Sequence, residues 1–283
     1  MVKTFLMILF SFLIFFSSQA QEKIQLWKGQ TKDDYRKKKV FLYCFLSENK
    51  ENKASIIFCP GGSYCYLAKE NEGFSPAKKF RDYGFNTFVL IYRRGIKGNR
   101  YPAQIQDLQK AIVYVREELG FDSLGVCGFS AGGHLSGTSA VYYDKNFIDD
   151  KPHNLKPNFN IMIYPVVTMK DDYVHKKSRR NLLGQHYNLG QKDSMSLELN
   201  IKKTVPPLYI LACKDDPIVK FQNSQRLADT LTNNGNLFRF RLFESGGHGF
   251  GINPNLIKSS DKSAAYWHED FILWLKAISV ARE

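Results

Sequence analysis

One short segment constrains this chain more than any other: residues 128–132 read Gly-Phe-Ser-Ala-Gly. A short apolar run, Leu124–Cys127, precedes it, and a segment of helical character, His134–Tyr143, follows it. A strand that passes through this pattern into a helix must turn so tightly that the serine is strained and its hydroxyl projects from the turn. Side chains at the flanking glycines would clash there. The segment therefore predicts a strand, a sharp turn carrying Ser130, and a helix N-terminus beneath it.

The rest of the chain alternates strands and helices after an all-strand start, which predicts an α/β fold with a mostly parallel sheet and helices on both faces. Strands are predicted at Val40–Leu46, Ala54–Cys59, Asn86–Tyr92, Leu124–Cys127, Phe159–Val167, Leu208–Cys213 and Leu237–Phe243. Helices are predicted at Phe74–Tyr83, Pro102–Leu119, His134–Tyr143, Phe221–Asn233 and Ala264–Ile278. The polar stretch Lys170–Lys203 interrupts the alternation, and we expect it to form a small cap over a site.

The first twenty residues have the pattern of a secretory signal peptide. Lys3 gives a positive start, Thr4–Phe16 is almost wholly apolar, and Ser18 and Ala20 are small residues where a signal peptidase acts. The apolar run of about 13 residues is shorter than the ~20 that a membrane-spanning helix needs. We therefore expect a signal peptide at residues 1–20, one catalytic domain at residues 21–283, no membrane span after cleavage, and a secreted or periplasmic protein.

The chain is basic, with a formal net charge of +13 from 40 Lys and Arg against 27 Asp and Glu. Its basic clusters, at residues 36–39 and 176–180, are scattered on turn-like segments. This distribution favours a solvated basic surface, and no nucleic-acid partner is expected. The alternative function for these charges is attraction to acidic polysaccharide or to an anionic cell surface.

The five cysteines do not suggest a disulfide framework, because an odd number cannot all pair internally. Cys59, Cys127 and Cys213 lie at or near the ends of apolar runs and are predicted to be buried in the core. A pair between Cys44 and Cys65 stays open. No CxxC or HxxxH spacing occurs, so neither a metal site nor a cofactor is expected.

Ser130 needs partners, because an unassisted serine is a poor nucleophile at neutral pH. For this kind of turn, an acid and then a histidine follow the serine in the chain. Asp216 comes directly after the strand that ends near Cys213, and His248 comes 32 residues later, after the last strand. The order predicts Ser130 as nucleophile, His248 as base and Asp216 as the group that orients the base.

Both partner assignments have competitors. Asp215 is the first alternative to Asp216, whereas Glu244 lies on the wrong side in chain order. His134 falls on the first turn of a buried helix and is expected to be a hydrogen-bonded packing residue. The remaining histidines, on loops or a polar face, are not expected to be the base: His153, His175, His186 and His268.

A tetrahedral intermediate also needs preorganised donors for its oxyanion. The backbone N–H of Ala131, directly after the nucleophile, supplies one. The loop after Cys59 reads Pro-Gly-Gly-Ser-Tyr, and we assign Gly62 and Ser63 as further donors because glycine lets the backbone approach a substrate closely. Tyr64 and Tyr66 lie beside this loop and are candidates to line the substrate pocket.

With these residues in place, the chain resembles the α/β-hydrolase superfamily, and more closely secreted esterases of the acetylxylan-esterase-like group, which are related to hormone-sensitive-lipase-type enzymes. The matching segments include Pro60–Tyr64 with Glu72-Gly73, Leu90–Arg93, Tyr101-Pro102 with Asp107, Gly128–Leu135, Tyr164–Val166, Pro206-Pro207, Asp215–Val219 with Asn223-Ser224, and Phe243–Phe250. The resemblance implies an eight-stranded core sheet and a Ser130–Asp216–His248 triad. The chain departs from the family pattern at Ser63, where a third glycine is usual, and at Lys220, where a proline often follows Val219.

The resemblance implies a serine carboxylic-ester hydrolase that removes acetyl or feruloyl groups from a plant polysaccharide such as xylan, so the expected partner is an acylated carbohydrate or a small ester. Two alternatives stay open. A peptidase of short peptides often carries an N-terminal propeller, for which this chain has no room. A catalytically silent binding module on the same fold is opposed by the intact triad. Asp107, Arg93 and Arg94, also at matched positions, are expected to be structural, as a buried ion pair or a loop anchor, rather than substrate contacts.

Overall fold

The computed structural model describes residues 22–27, 37–49 and 54–280, and the predicted signal peptide lies outside them. The described residues form one eight-stranded sheet. Its strands are β1 (Glu22–Gln25), β2 (Phe41–Phe45), β3 (Ser55–Cys59), β4 (Asn86–Ile91), β5 (Leu124–Phe129), β6 (Phe159–Ile163), β7 (Leu208–Cys213) and β8 (Phe238–Phe243). Their spatial order is β1-β2-β4-β3-β5-β6-β7-β8.

The sheet is parallel from β4 to β8, whereas β2 pairs antiparallel with both of its neighbours, β1 and β4. The helices are α1 (Ser75–Asp82), α2 (Ala103–Val113), α3 (Ala131–Val141), α4 (Lys176–Leu183), α5 (Leu189–Ser194), α6 (Gln222–Asn233) and α7 (Trp267–Val280). The buried apolar side chains of the helices belong to two separate clusters. Side chains of α2, α3 and α6 belong to one cluster, and side chains of α1 and α7 belong to the other. The predicted helices on both faces of a mostly parallel sheet are confirmed.

Most predicted boundaries lie within a few residues of the observed ones, and the differences have local causes. The fifth predicted strand stops at Ile163, because Tyr164 adopts a positive φ of 36°. Residues 114–118, predicted as α-helix, form a wider π-helical turn. The edge strand β1 escaped prediction because it has four residues, two of them exposed.

A buried ion pair anchors the loop after β4, as the sequence predicted. Asp107 is fully buried, and its carboxylate lies 2.9 Å from the Arg93 guanidinium. The same carboxylate accepts hydrogen bonds from the Arg93 backbone N–H and from Trp27 Nε1, each at 2.8 Å. A removed partner would leave a buried charge uncompensated, so the pair serves to hold this loop in place.

The polar stretch 170–203 forms the short helices α4 and α5, which border the carboxyl ends of the strands. Helix α4 contacts the loop after β3, where Asn181 Nδ2 donates to the Ser63 carbonyl at 2.7 Å. The segment before Leu197 contacts α3, where His134 Nε2 lies 2.8 Å from the Met195 carbonyl oxygen. The insertion is therefore fixed against the loop after β3 and against α3, the helix that follows Ser130.

The five cysteines, all within the described residues, have free thiols, so Cys44 and Cys65 form no disulfide. Cys59, Cys127 and Cys213 are buried, as predicted. Burial raises the pKa of the Cys59 thiol well above its usual value, which keeps this sulfur protonated and unreactive. No helix among residues 22–27, 37–49 and 54–280 is both long enough and apolar enough to cross a membrane.

Candidate active site

The strained turn at Ser130 joins β5 to α3, as the sequence predicted. Ser130 has φ 54° and ψ −117°, a backbone conformation that non-glycine residues rarely adopt. The flanking glycines are required by close backbone contacts. A Cβ at Gly128 would lie 1.9 Å from the Gly132 carbonyl oxygen, and a Cβ at Gly132 would lie 2.0 Å from the Cys59 carbonyl oxygen. The turn therefore fits only with hydrogen at both positions.

The structure brings Ser130, His248 and Asp216 into one hydrogen-bonded chain. His248 Nε2 lies 2.9 Å from Ser130 Oγ, and His248 Nδ1 lies 2.6 Å from Asp216 Oδ2. Asp216 is 2% exposed, and its Oδ1 accepts the backbone N–H groups of Ile218 and Val219 at 2.8 and 2.9 Å. These two bonds fix the carboxylate, so its second oxygen faces the imidazole.

The competing carboxylates have other partners. Asp215 is exposed, and its two oxygens accept the N–H groups of Gly246 and Gly247 at 3.2 and 2.8 Å. Its role is to hold the loop that carries His248. Glu244 is exposed as well, with its carboxylate 2.6 Å from Lys214 Nζ. Geometry therefore favours Asp216 over both as the partner of His248.

The loop after β3 presents free backbone donors next to Ser130. A Cβ at Gly61 would lie 2.9 Å from Ser130 Cβ, so the loop and the nucleophile are in contact. The Gly61 N–H is occupied, because it donates to Glu72 Oε2 at 2.9 Å. The N–H groups of Gly62 and Ser63 donate to no other residue in the described part of the chain. Gly62 and Ser63 are thus positions where this loop has N–H groups without an acceptor, and their role as oxyanion donors stays a prediction.

Ala131 offers the third predicted donor. It is fully buried and is the first residue of α3. The first N–H groups of an α-helix have no acceptor within the helix, and their partial positive charge favours an anion at this point. The three predicted donors therefore come from two segments that meet at Ser130, which is the arrangement needed to stabilise an oxyanion.

A buried glutamate that the sequence did not single out links both sides of the site. Glu72 is 3% exposed; its Oε2 accepts the Gly61 N–H, and its Oε1 accepts the Tyr164 hydroxyl at 2.9 Å. The Tyr164 hydroxyl in turn accepts the Gly251 N–H at 2.9 Å, and the Tyr164 ring lies 4.6 Å from the His248 ring. One carboxyl group therefore connects the Gly62 loop to the loop that carries His248.

Burial raises the pKa of Glu72, and the nearby His248 together with the bonds from Tyr164 and Gly61 opposes that rise. The sequence contained a signal for this residue, because Glu72-Gly73 belongs to the segments that carry the family resemblance. Nothing in its local pattern distinguishes it from a surface carboxylate. Its position in the site follows only from its hydrogen bond to Tyr164 and from the bond between Tyr164 and Gly251, two residues that are far from it in the chain.

The prediction that Tyr64 lines the substrate pocket is wrong. Tyr64 is 1% exposed, and its ring packs against Tyr92 and His134. Its positive φ of 58° turns the side chain inward, away from the loop surface. Tyr66 is different: the residue is 53% exposed and lies against Gly62, so it remains a candidate to contact substrate.

His134 is a packing residue, as predicted. Its Nε2–H donates to the Met195 carbonyl, so its Nδ1 accepts from the Tyr64 hydroxyl at 2.8 Å. The remaining histidines that have hydrogen-bond partners bond to residues other than Ser130, and among them His175 is close enough to His248 and Asp216 to interact with their charges. His153 contacts Glu117 and Asp149, His175 contacts Ser178, and His268 contacts Tyr83.

His134 predicts a pH dependence of stability. Burial lowers its pKa from 6.5 to about 4, so the unfolded chain takes up this proton first as the pH falls. The free energy of unfolding should therefore decrease by up to about 1.4 kcal/mol per pH unit from about pH 6.5 towards pH 4, with no contribution above that window. Urea unfolding of the wild type and His134→Gln at pH 7, 6 and 5 measures it. His268 titrates in both proteins, so a difference in slope reports on His134 alone. Equal slopes would contradict the assignment of this pH dependence to His134.

No three His, Cys, Asp or Glu side chains within the described residues converge as metal ligands do.

The sheet order, the strained serine turn and the hydrogen-bonded triad define the chain as an α/β hydrolase. It belongs to the BD-FAE family, whose model matches residues 42–231. The model of the dienelactone hydrolase family matches residues 185–279. The resemblance inferred from the sequence is thereby confirmed at the level of family and fold.

Two curated relatives are longer proteins. An acetylxylan esterase of Xylanibacter ruminicola is 30% identical over 257 residues, covering 87% of this chain and 50% of the relative. Endo-1,4-beta-xylanase B of Butyrivibrio fibrisolvens is 29% identical over 222 residues, covering 75% of this chain and 34% of the relative. The chain thus spans half or less of the length of each of these relatives.

Among solved structures, the acetyl ester-xyloside bifunctional hydrolase from Caldicellulosiruptor lactoaceticus superposes with a TM-score of 0.81. The two share 26% sequence identity, over 92% of this chain and 97% of that one. The carboxylesterase Cest-2923 from Lactobacillus plantarum superposes with a TM-score of 0.70 at 20% identity, over 85% of this chain and 92% of that one. The similarity to the carboxylesterase, at 20% identity, shows a shared fold alone.

Proposed function

We propose that this protein is a serine carboxylic-ester hydrolase that removes acetyl, or feruloyl, groups from a plant polysaccharide such as xylan. The observation that carries the proposal is the Ser130–His248–Asp216 chain of hydrogen bonds, at 2.9 and 2.6 Å, next to unoccupied backbone donors. A nucleophile, a base, an orienting acid and oxyanion donors within one site suit acyl transfer.

In the proposed reaction each of these groups has one step. Ser130 Oγ attacks the ester carbonyl carbon while His248 Nε2 takes its proton, and Asp216 stabilises the imidazolium that forms. The N–H groups of Gly62, Ser63 and Ala131 would hold the negative oxygen of the tetrahedral intermediate. His248 then gives its proton to the leaving sugar alkoxide. Water, activated by the same imidazole, releases the acyl group as a carboxylate and restores Ser130.

The relatives support the substrate class. One curated relative is named an acetylxylan esterase, a second is named a xylanase, and the structure at TM-score 0.81 is described as an acetyl ester-xyloside hydrolase. All three names refer to xylan or xyloside chemistry. An acylated xylan is therefore the first substrate to test for this chain.

We also propose that the protein acts outside the cytoplasm. The support is the N-terminal sequence: a positive residue, a run of about 13 apolar residues and small residues before position 21 form the pattern of a cleaved signal peptide. Expression of the full chain, followed by N-terminal sequencing of the exported product, tests this. A product that starts at Gln21 is expected, and an intact Met1 in the cytoplasm would contradict it.

The function is tested by acetate release from acetylated xylan and by ferulate release from feruloylated arabinoxylan, with p-nitrophenyl acetate as a small ester. We expect acetate release from the polymer and hydrolysis of the small ester. Hydrolysis of p-nitrophenyl acetate without release of acetate or ferulate from the polymers would support an esterase and exclude acetylated xylan and feruloylated arabinoxylan as its substrates. Turnover of short peptide arylamides in place of esters would favour a peptidase.

Glu72 provides a separate prediction. In Glu72→Gln, an NH₂ donor group replaces one of the two acceptor oxygens, so the side chain cannot accept from both the Gly61 N–H and the Tyr164 hydroxyl. We expect kcat to fall about ten- to a hundred-fold with KM changed less than three-fold, because the donors and His248 are displaced while the pocket remains. Steady-state kinetics on p-nitrophenyl acetate measures kcat and KM separately.

The matched control is Glu70→Gln, an exposed glutamate on the same turn, for which we expect wild-type kinetics. A Glu72→Gln variant that loses stability but keeps its kcat would show that the carboxyl group serves folding alone.

A further inference from the structure

Two basic cavities, one beside Tyr66 and one along α4, are not used by the proposed chemistry. The first has a volume of about 400 Å³ and lies behind Tyr66, at the end of β4. Its lining contains the cations Lys39, Lys69, Arg93 and Arg94 and no acidic residue. Arg93 is engaged by Asp107, whereas Lys69 and Arg94 form no ion pair with a described residue.

The second cavity has a volume of about 530 Å³ and lies along α4. Its lining contains Lys176, Lys177, Arg179 and Arg180, again without an acidic residue. Arg179 pairs with Asp171 at 2.6 Å, but the other three cations form no ion pair within the described residues. Both volumes lie within the range of about 300–1,000 Å³ that is usual for ligand pockets.

The two cavities approach each other beside the proposed oxyanion donors. Lys177 Nζ of the second cavity lies 6.0 Å from the ring centroid of Tyr66, which lines the first. The Tyr66 ring packs on Gly62, and Asn181 of α4 donates to the Ser63 carbonyl. A polymer whose ester reaches Ser130 would therefore pass close to both sets of cations.

We propose that these cavities bind the carboxylates of uronic-acid residues, so that the preferred substrate is an acidic acylated polysaccharide. This inference rests on the proposed esterase function and specifies its substrate. Five lining cations form no ion pair with a described residue, and their charges create a positive potential that attracts carboxylates: Lys69, Arg94, Lys176, Lys177 and Arg180. The exposed Tyr66 ring offers a flat apolar face for a sugar ring, as aromatic side chains do in ligand sites.

The shape of the charged surface favours an acidic polysaccharide over a nucleic acid. A nucleic acid carries a charge on every nucleotide and is held along a continuous basic groove. Here the cations lie in two separate sites, and Lys177 of the second lies 6.0 Å from the Tyr66 ring that lines the first. This spacing suits a chain that carries isolated carboxylates between neutral sugars.

The test compares acetylated xylan before and after enzymatic removal of its uronic-acid side groups. We expect the wild type to show a lower KM for the acidic polymer at low salt, and the preference to shrink in 0.5 M NaCl, since salt screens exposed charges. In Arg94→Gln and in Lys177→Gln, the ratio of the two KM values should move about two- to five-fold towards one, and about ten-fold in the double variant. Lys276→Gln, an exposed lysine on α7 outside both cavities, should keep the wild-type ratio.

A binding measurement keeps this inference separate from the esterase proposal. Calorimetry with Ser130→Ala compares a xylo-oligosaccharide that carries one glucuronic-acid group with the same oligosaccharide without it. Tighter binding of the acidic form, weakened by Arg94→Gln, supports the inference even if no polymer is deacetylated. Equal affinity for both forms overturns it, and so does equally tight binding of single-stranded DNA.

Discussion

Replacing Ser130 with alanine is expected to reduce kcat for ester hydrolysis by about 10⁵-fold, while the protein stays folded. Comparable single losses of a catalytic serine reach about 10⁶-fold, and the remaining rate comes from binding and the oxyanion donors. The fold should tolerate the change, because Ser130 Oγ has one hydrogen bond, to His248 Nε2. Alanine keeps the Cβ, so the strained turn faces no new contact.

The measurement pairs kinetics on p-nitrophenyl acetate with labelling by a fluorophosphonate probe, which reacts with an activated serine. Wild type should be labelled and Ser130→Ala should not. Ser245→Ala is a suitable control, because Ser245 lies on the His248 loop but its hydroxyl bonds to Ser259. Hydrolysis by Ser130→Ala at more than a tenth of the wild-type rate would exclude Ser130 as the nucleophile. An unlabelled wild type would favour a silent binding module.

The centre of the site was predictable because its residues follow from local geometry. The Gly128–Gly132 pattern identifies a turn that needs two glycines, and their Cβ contacts below 2.1 Å show why. Parallel strands end at a common edge, so residues directly after β5, β7 and β8 meet there. Ser130 comes directly after β5, Asp216 three residues after β7 and His248 five residues after β8. Chain order related these segments but left Asp215 open as the acid.

The supporting contacts could not be predicted because they join residues far apart in the chain. Glu72 and Tyr164 are 92 residues apart, and Tyr164 and Gly251 are 87 residues apart. A local pattern gives no sign of such pairs. The error at Tyr64 has the same origin, because the partner that draws its hydroxyl inward is His134, 70 residues later.

Backbone strain is concentrated around the site. Of the five described non-glycine residues with positive φ, four lie in it: Ser63, Tyr64, Ser130 and Tyr164. Each such conformation costs of order 1–3 kcal/mol and persists only where its surroundings hold it. The hydrogen bonds of Asn181 to Ser63, His134 to Tyr64 and Glu72 to Tyr164 supply that support. The insertion and the buried glutamate therefore help to preorganise the donors and the nucleophile.

The second large effect is expected at Asp216. In Asp216→Asn, kcat should fall by about 10⁴-fold, because the amide cannot stabilise the imidazolium and favours the wrong tautomer of His248. The carboxylate is buried and lies 2.6 Å from His248 Nδ1, so solvent cannot replace it. Asn keeps an oxygen for the N–H groups of Ile218 and Val219, so the loop should keep its shape.

Asp215→Asn is the matched comparison, one residue away in the same loop. Asp215 accepts from Gly246 and Gly247 and does not contact His248, so its loss should loosen the histidine loop and lower kcat less than ten-fold. The kcat and thermal unfolding of both variants separate the two roles. A larger loss of kcat in Asp215→Asn would mean that the loop rearranges on substrate binding and brings the exposed carboxylate to His248. The loss of kcat should be larger in Asp216→Asn if the buried Asp216 orients the base throughout the reaction.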